Sequence, residues 1–192
     1  MINLTLFASG NGSNAENIFQ YFKNIPDIQI VAMFSNNPDA YALKRAENNQ
    51  ITAFQFTKDE FYNSENVLNK LKNLQTDYII LAGFLWLIPE SFTHAYPNRI
   101  INIHPALLPK FGGKGMYGMH VHRAVVNQNE TQTGITIHLV NEKYDDGKIL
   151  FQDYCKVEKT DTPETVAEKI HALEYKWFPE IIHQYIEKQK LI

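Results

Sequence analysis

Apolar positions in the first two thirds of the chain switch repeatedly between a strand-like and a helix-like spacing, and that alternation predicts crossover units on a parallel sheet. Ile2 to Ala8, Ile28 to Phe34, Ile51 to Phe56 and Tyr78 to Ala82 read as strands, the last continuously apolar like a strand covered on both faces. Between them lie three helical patterns. Asn14 to Phe22 puts Ile18, Phe19 and Phe22 on one face, Tyr41 to Asn49 is a second helix, and Asp59 to Leu74 turns Phe61, Val67, Leu68 and Leu71 inward. Pro89 is placed to open a short helix ending near Tyr96. A strand beginning near Ile100 should stop at His104, because Pro105 cannot continue a hydrogen-bonded ladder. Lys110 to Met119 holds four glycines in ten residues and reads as a loop able to move. Beyond it the pattern predicts a helix over His120 to Asn127. Strands follow over Thr133 to Val140 and Ile149 to Lys156, joined by a tight turn, and then a helix from Thr162 to Leu191 with a break or kink at Pro179.

At 192 residues and 44% hydrophobic content, the chain supports one good core and is short for two domains, so a single domain over residues 1–192 is expected. The expected fold is α/β, with a mostly parallel twisted sheet and helices on both faces. A formal net charge of -3, from 18 basic and 21 acidic residues, offers no global attraction to nucleic acid or to an anionic membrane. Large polyanions are therefore not expected as substrates. One cysteine, Cys155, permits no internal disulfide and no Cys-rich metal site. No amino-terminal segment has the layout of a signal peptide, and the longest apolar run, Tyr78 to Ile88, falls short of the roughly 20 residues that span a bilayer. A cytoplasmic protein is expected.

The chemistry concentrates in Ile101-Asn102-Ile103-His104-Pro105-Ala106-Leu107-Leu108-Pro109 and, some forty residues on, in Tyr144-Asp145-Asp146-Gly147. Side chains at i and i+2 of a strand project from one face, so Asn102 and His104 present a carboxamide and an imidazole side by side at a strand end. Such ends are where open α/β sheets bind ligands. A carboxamide N–H can stabilise a developing oxyanion, and an imidazole with a reference pKa of about 6.5 can move a proton near neutral pH. His120-Val121-His122 suggests a metal, but no suitably spaced carboxylate or cysteine completes a site, and none is expected.

A second feature is Ser9-Gly10-Asn11-Gly12-Ser13-Asn14, between the first strand and the first helix. Small residues there let backbone N–H groups and a helix N-terminus close around an anion, which points to a phosphate held by Gly12, Ser13 and Asn14. With Ala15 the loop also fits the loose pattern of dinucleotide folds. The second strand opposes that reading, since it ends in Phe34-Ser35-Asn36-Asn37 with no acidic residue for a ribose.

Asn102 to Pro109 resembles the signature of the folate-dependent formyltransferases, and the similarity runs essentially from end to end. The resemblance implies a Rossmann-like fold and a catalytic trio of Asn102, His104 and Asp145, with Asp146 a solvated turn residue. It implies formyl transfer from 10-formyltetrahydrofolate, acting as co-substrate, to the glycinamide amine of 5′-phosphoribosylglycinamide in purine synthesis. Other folate-dependent formyl enzymes and a non-catalytic folate or nucleotide-binding module are the alternatives. By the same resemblance, Ser9 to Asn14 is the substrate-phosphate loop and Glu174 meets the acceptor's amine. The folate lies against Leu85, Trp86, Leu87 and Ile88 and against Asn141, Glu142, Lys143 and Tyr144. Trp86 stands where relatives commonly carry a basic residue. His138 is a histidine supporting the site from behind. The implied partners are these two small molecules, without nucleic acid or membrane, on a monomer or homodimer.

Overall fold

Four strands and the helices that connect them build the first of two compact units, Met1–Ile101, and the second comprises Asn102–Ile192. The structure, a computed structural model, describes residues 1–191; Ile192, the last position of the expected domain, lies outside them. The described residues form seven strands, in a mostly parallel sheet, and seven helices.

In the first unit β1 (Ile2–Phe7), β2 (Ile28–Ser35), β3 (Thr52–Gln55) and β4 (Tyr78–Leu81) run in the order β3-β2-β1-β4, all parallel. Each connection is a crossover, made by α1 (Ser13–Phe22), by α2 (Tyr41–Asn48), and by α3 (Lys58–Tyr62) with α4 (Asn66–Asn73). The inner strand β4 is buried along its whole length, as its uninterrupted apolar run requires, and β1 is buried from Leu4 to Phe7. Phe7, Phe34, Phe56, Phe61 and Phe84 form one aromatic cluster, with Phe7 stacked on Phe34 at 5.1 Å between ring centres. Asp59 to Leu74, expected as one helix, is two. Ser64 Oγ accepts from the Asn66 N–H and donates to the Glu60 carbonyl, and the Asn63 amide turns to Asp59, so local side-chain bonds replace the helical ladder between α3 and α4. After β4, α5 (Glu90–Ala95) starts directly behind Pro89.

β5 (Ile100–His104) ends at the histidine before Pro105. In the second unit it is followed by α6 (Met119–Asn127), β6 (Gln132–Leu139), β7 (Ile149–Lys156) and α7 (Pro163–Gln189), with strand order β5-β6-β7. β6 and β7 pair antiparallel, with an irregularity in register between Ile137 and His138. Their connection is not the expected tight turn. It runs from Val140 to Lys148 and is pulled back against β6 at Gly147, where a Cβ would lie 1.7 Å from the Leu139 carbonyl oxygen. The helix α7 passes Pro179 without the break that was one of the two expected outcomes there. Phe178, Pro179, Ile181 and Ile182 are all buried there, and their packing offsets the roughly 3 kcal/mol that proline costs inside a helix.

Candidate active site

β5 delivers Asn102 and His104 to one side of its carboxyl end, and β6 places His138 opposite them. The chain beyond β5 is fixed by Thr136, whose hydroxyl donates to the Ala106 carbonyl at 2.7 Å and accepts the Leu108 N–H at 3.0 Å. His138 Nδ1 lies 2.8 Å from the Leu139 carbonyl oxygen. An acceptor there requires Nδ1 to carry the proton, so in the neutral ring Nε2 presents a lone pair. Asn102 Nδ2 meets it at 3.1 Å and donates one N–H, which fixes the carboxamide and leaves its second N–H for another acceptor.

His104 is 3% exposed and is governed by the same logic on its other nitrogen. Nε2 sits 2.8 Å from the Phe111 carbonyl oxygen and donates to it, so the neutral ring turns its Nδ1 lone pair toward Asp145 Oδ2 at 3.5 Å. Burial pushes the His104 pKa below the ordinary histidine value. The Asp145 charge and the Phe111 carbonyl oppose that shift, and His138 adds to it. Desolvation, the largest influence on this ring, favours the neutral form with an open Nδ1, and a proton taken there would face the Asp145 carboxylate.

Asp145 sits on the β6–β7 connection in a left-handed conformation, with φ 53°. Burial opposes its ionisation, yet the His138 ring at 3.6 Å and the His104 ring, whose cations would face it, and the Gly113 N–H at 2.9 Å together hold the carboxyl below the usual carboxylate range. Asp146 is exposed beside Lys143 and Asn141. Glu142, Lys143 and Tyr144 are exposed, and the turn is pinned by the Lys143 N–H to Asn141 Oδ1. Glu174, on α7, is 6% exposed and not an ordinary surface glutamate. The helical pair separates: His122 is buried and His120 exposed. Among the described residues no three His, Cys, Asp or Glu are grouped to hold a metal ion. No described helix is long and apolar enough to cross a membrane.

In the first unit Gly12 ends the glycine loop with φ 73°, and Ser13 opens α1. Ser9 joins this loop to the Leu85 to Ile88 segment, its N–H donating to Gly83 and its hydroxyl accepting the Leu85 N–H at 3.0 Å. The Tyr62 hydroxyl donates to the Leu87 carbonyl at 2.8 Å. Trp86 packs with Phe56, Phe61, Tyr62 and Phe84, so an aromatic cluster occupies the place expected of a basic residue. Tyr62, Phe111 and Gly113 were not singled out in the sequence. Phe111 and Gly113 act through backbone atoms, which leave no residue-type signal, while Ser9 was legible only as part of its loop.

Residues 2–182 match the formyl transferase family. The chain is 38% identical over 192 residues to the chloroplastic phosphoribosylglycinamide formyltransferase of Arabidopsis thaliana, covering 97% of this chain and 66% of that protein. It is 35% identical over 191 residues to the Bacillus subtilis phosphoribosylglycinamide formyltransferase, covering 97% of this chain and 95% of that one. The chain thus spans just under two thirds of the plant relative and nearly all of the bacterial one. Among solved structures, phosphoribosylglycinamide formyltransferase from Bacillus halodurans superposes with a TM-score of 0.87 at 34% identity, covering 97% of this chain and 96% of that chain. With its strand-end Asn102 and His104 braced by His138 and Asp145, the chain belongs to the formyl transferase family.

Proposed function

We propose that this chain is a phosphoribosylglycinamide formyltransferase, moving the formyl group of 10-formyltetrahydrofolate to the glycinamide amine of 5′-phosphoribosylglycinamide. The reading is carried by the two oriented groups at the end of β5: Asn102 with one N–H committed to His138, and His104 with its Nδ1 lone pair facing Asp145. Attack of an amine on the formyl carbon puts negative charge on oxygen, and the spare Asn102 N–H is the donor for it. Loss of one such donor costs on the order of 2.7 to 4 kcal/mol of transition-state stabilisation. The attacking nitrogen must lose a proton and the leaving folate nitrogen must gain one. A neutral His104 accepts the first at Nδ1, where Asp145 stabilises the resulting cation, and the same proton is then available to the leaving nitrogen.

The remaining assignments follow the family pattern. Glu174 receives the acceptor's amino group, which attacks as the neutral amine once its extra proton has passed to this carboxylate or to solvent, and Gly12, Ser13 and Asn14 receive its phosphate. Leu85 to Ile88 and Asn141 to Tyr144 hold the folate. Within the first of these the Leu85 N–H and Leu87 carbonyl already have protein partners, so pterin contacts fall on the other backbone groups. No metal takes part in this scheme, and both partners are small molecules.

One assay tests the reading. Purified protein is incubated with 10-formyltetrahydrofolate, with and without 5′-phosphoribosylglycinamide, and both products are followed. Acceptor-dependent formylation is expected. Folate hydrolysis at the same rate without acceptor would indicate a hydrolase, and absence of both reactions would indicate a binding module.

A further inference from the structure

We propose that Arg45 is a positioning residue for the acceptor's phosphate, acting through the backbone of the glycine loop. The inference rests on the phosphate role proposed for Ser9 to Asn14. Arg45 lies on α2, outside that loop. Its Nε donates to the Asn11 carbonyl and its Nη2 to Asn11 Oδ1, both at 2.9 Å. One turn earlier on the same helix, the Ala42 N–H donates to the Gly10 carbonyl at 3.1 Å. Two successive loop carbonyls are thereby drawn onto α2.

That has a directional consequence. In a trans peptide the C=O of one residue and the N–H of the next point in opposite directions. Holding the Gly10 and Asn11 carbonyls against α2 therefore turns the Asn11 and Gly12 N–H groups away from it. The same bonds withdraw two carbonyl oxygens that would repel an anion, and they add two donors to those of the first turn of α1, which have no intrahelical acceptor.

The guanidinium is itself immobilised. It lies over the Tyr41 ring at 4.9 Å and 3.8 Å from Glu16, whose carboxylate also takes Gln20 at 2.9 Å and Asn49 at 3.2 Å. With its fork spent on Asn11, Arg45 reaches a phosphate through the loop it shapes. A lysine at this position keeps the charge but cannot make the two-pronged contact.

Arg45→Met and Arg45→Lys should be compared with wild type on two acceptors, 5′-phosphoribosylglycinamide and the phosphate-free glycinamide riboside, measuring kcat/KM for each and KM for the folate. In wild type the phosphorylated acceptor is strongly preferred. Arg45→Met should lower its kcat/KM at least tenfold, mainly through KM, while the riboside and the folate KM change less than twofold; Arg45→Lys should fall between. Equal losses on both acceptors would reduce Arg45 to a general brace and overturn the proposal. Unchanged discrimination in Arg45→Met would overturn it while leaving the phosphate loop standing. Equal use of both acceptors by wild type would sink the phosphate loop itself and the proposal with it.

Discussion

The glycine loop of the first unit and the β5–β6 site of the second achieve orientation by opposite means. On the phosphate role proposed above, the loop's working groups are backbone amides, oriented by bonds that fix carbonyls: Gly10 by the Ala42 N–H, Asn11 by Arg45. In the second unit the proposed working groups are side chains, oriented by backbone carbonyls and amides that occupy their other atoms: Leu139 on His138, Phe111 on His104, Gly113 on Asp145. A backbone cradle therefore depends on residues that permit a conformation. A side-chain site depends on residues that carry a function. Substitutions should divide along the same line, with kcat effects in the second unit and acceptor-KM or stability effects in the first.

The largest effects are expected in the side-chain site. His104→Ala should lower kcat at least a hundredfold, about 2.7 kcal/mol of barrier, with the melting temperature changed by only a few degrees. Asp145→Asn should be similarly impaired because it removes the charge facing Nδ1, whereas Asp146→Asn, exposed at the turn, should stay within about threefold of wild type. Steady-state kinetics on the three variants decides the matter. A severe Asp146→Asn beside a mild Asp145→Asn would reassign the catalytic carboxylate, and near-normal turnover by His104→Ala would remove the imidazole from the chemistry.

The two regions also differ in how far they could be read from residues alone. Asn102 and His104 were legible because strand periodicity and Pro105 together place an i, i+2 pair at a strand end. Asp145 came from family resemblance, since nothing local separates it from Asp146 except a backbone conformation visible only in three dimensions. The glycine loop was legible as a tight strand-to-helix connection from its small residues, and its anion role is the proposal made above. Arg45 was not legible, because its contact with Asn11 spans 34 positions and depends on how α2 packs. The sheet alternation was read correctly, and the errors fell where tertiary packing or local side-chain bonds override pattern: the break between α3 and α4 and the long β6–β7 connection. Burial of Glu174 and the downward shift of the His104 pKa likewise follow from packing, which composition does not encode.

An intermediate effect separates the two glycines of the loop. Gly12 has φ 73°, and a Cβ there would lie 2.6 Å from the Ala42 Cβ and 2.7 Å from its Cα, so Gly12→Ala must push α2 away. At Gly10 a Cβ meets nothing within 4 Å. Gly12→Ala should raise the acceptor KM about tenfold or more and lower thermal stability, while Gly10→Ala stays within about twofold on both measures. Equal tolerance at the two positions would mean that the close approach of α2 does not set the cradle.

The smallest effect concerns stability and lies behind the side-chain site. His122 is 2% exposed, and its Nδ1 has no hydrogen-bond partner among the described residues. Burial, with His171 and His104 nearby, lowers its pKa to about 4. The unfolded chain takes a proton at this side chain near the ordinary value of about 6.5, so between that pH and about 4 the unfolded state binds more protons than the folded one. Stability linked to His122 is therefore fully present above pH 6.5 and is lost as the pH falls through this window. His122→Gln cannot titrate and should flatten the slope, losing roughly 3 °C less than wild type between pH 6.5 and 4.5 whatever its melting temperature at neutral pH. His104, with its pKa shifted in the same direction, keeps part of the slope in the variant. Thermal melts across that range give the two slopes directly, and parallel curves would show that His122 carries none of the acid sensitivity.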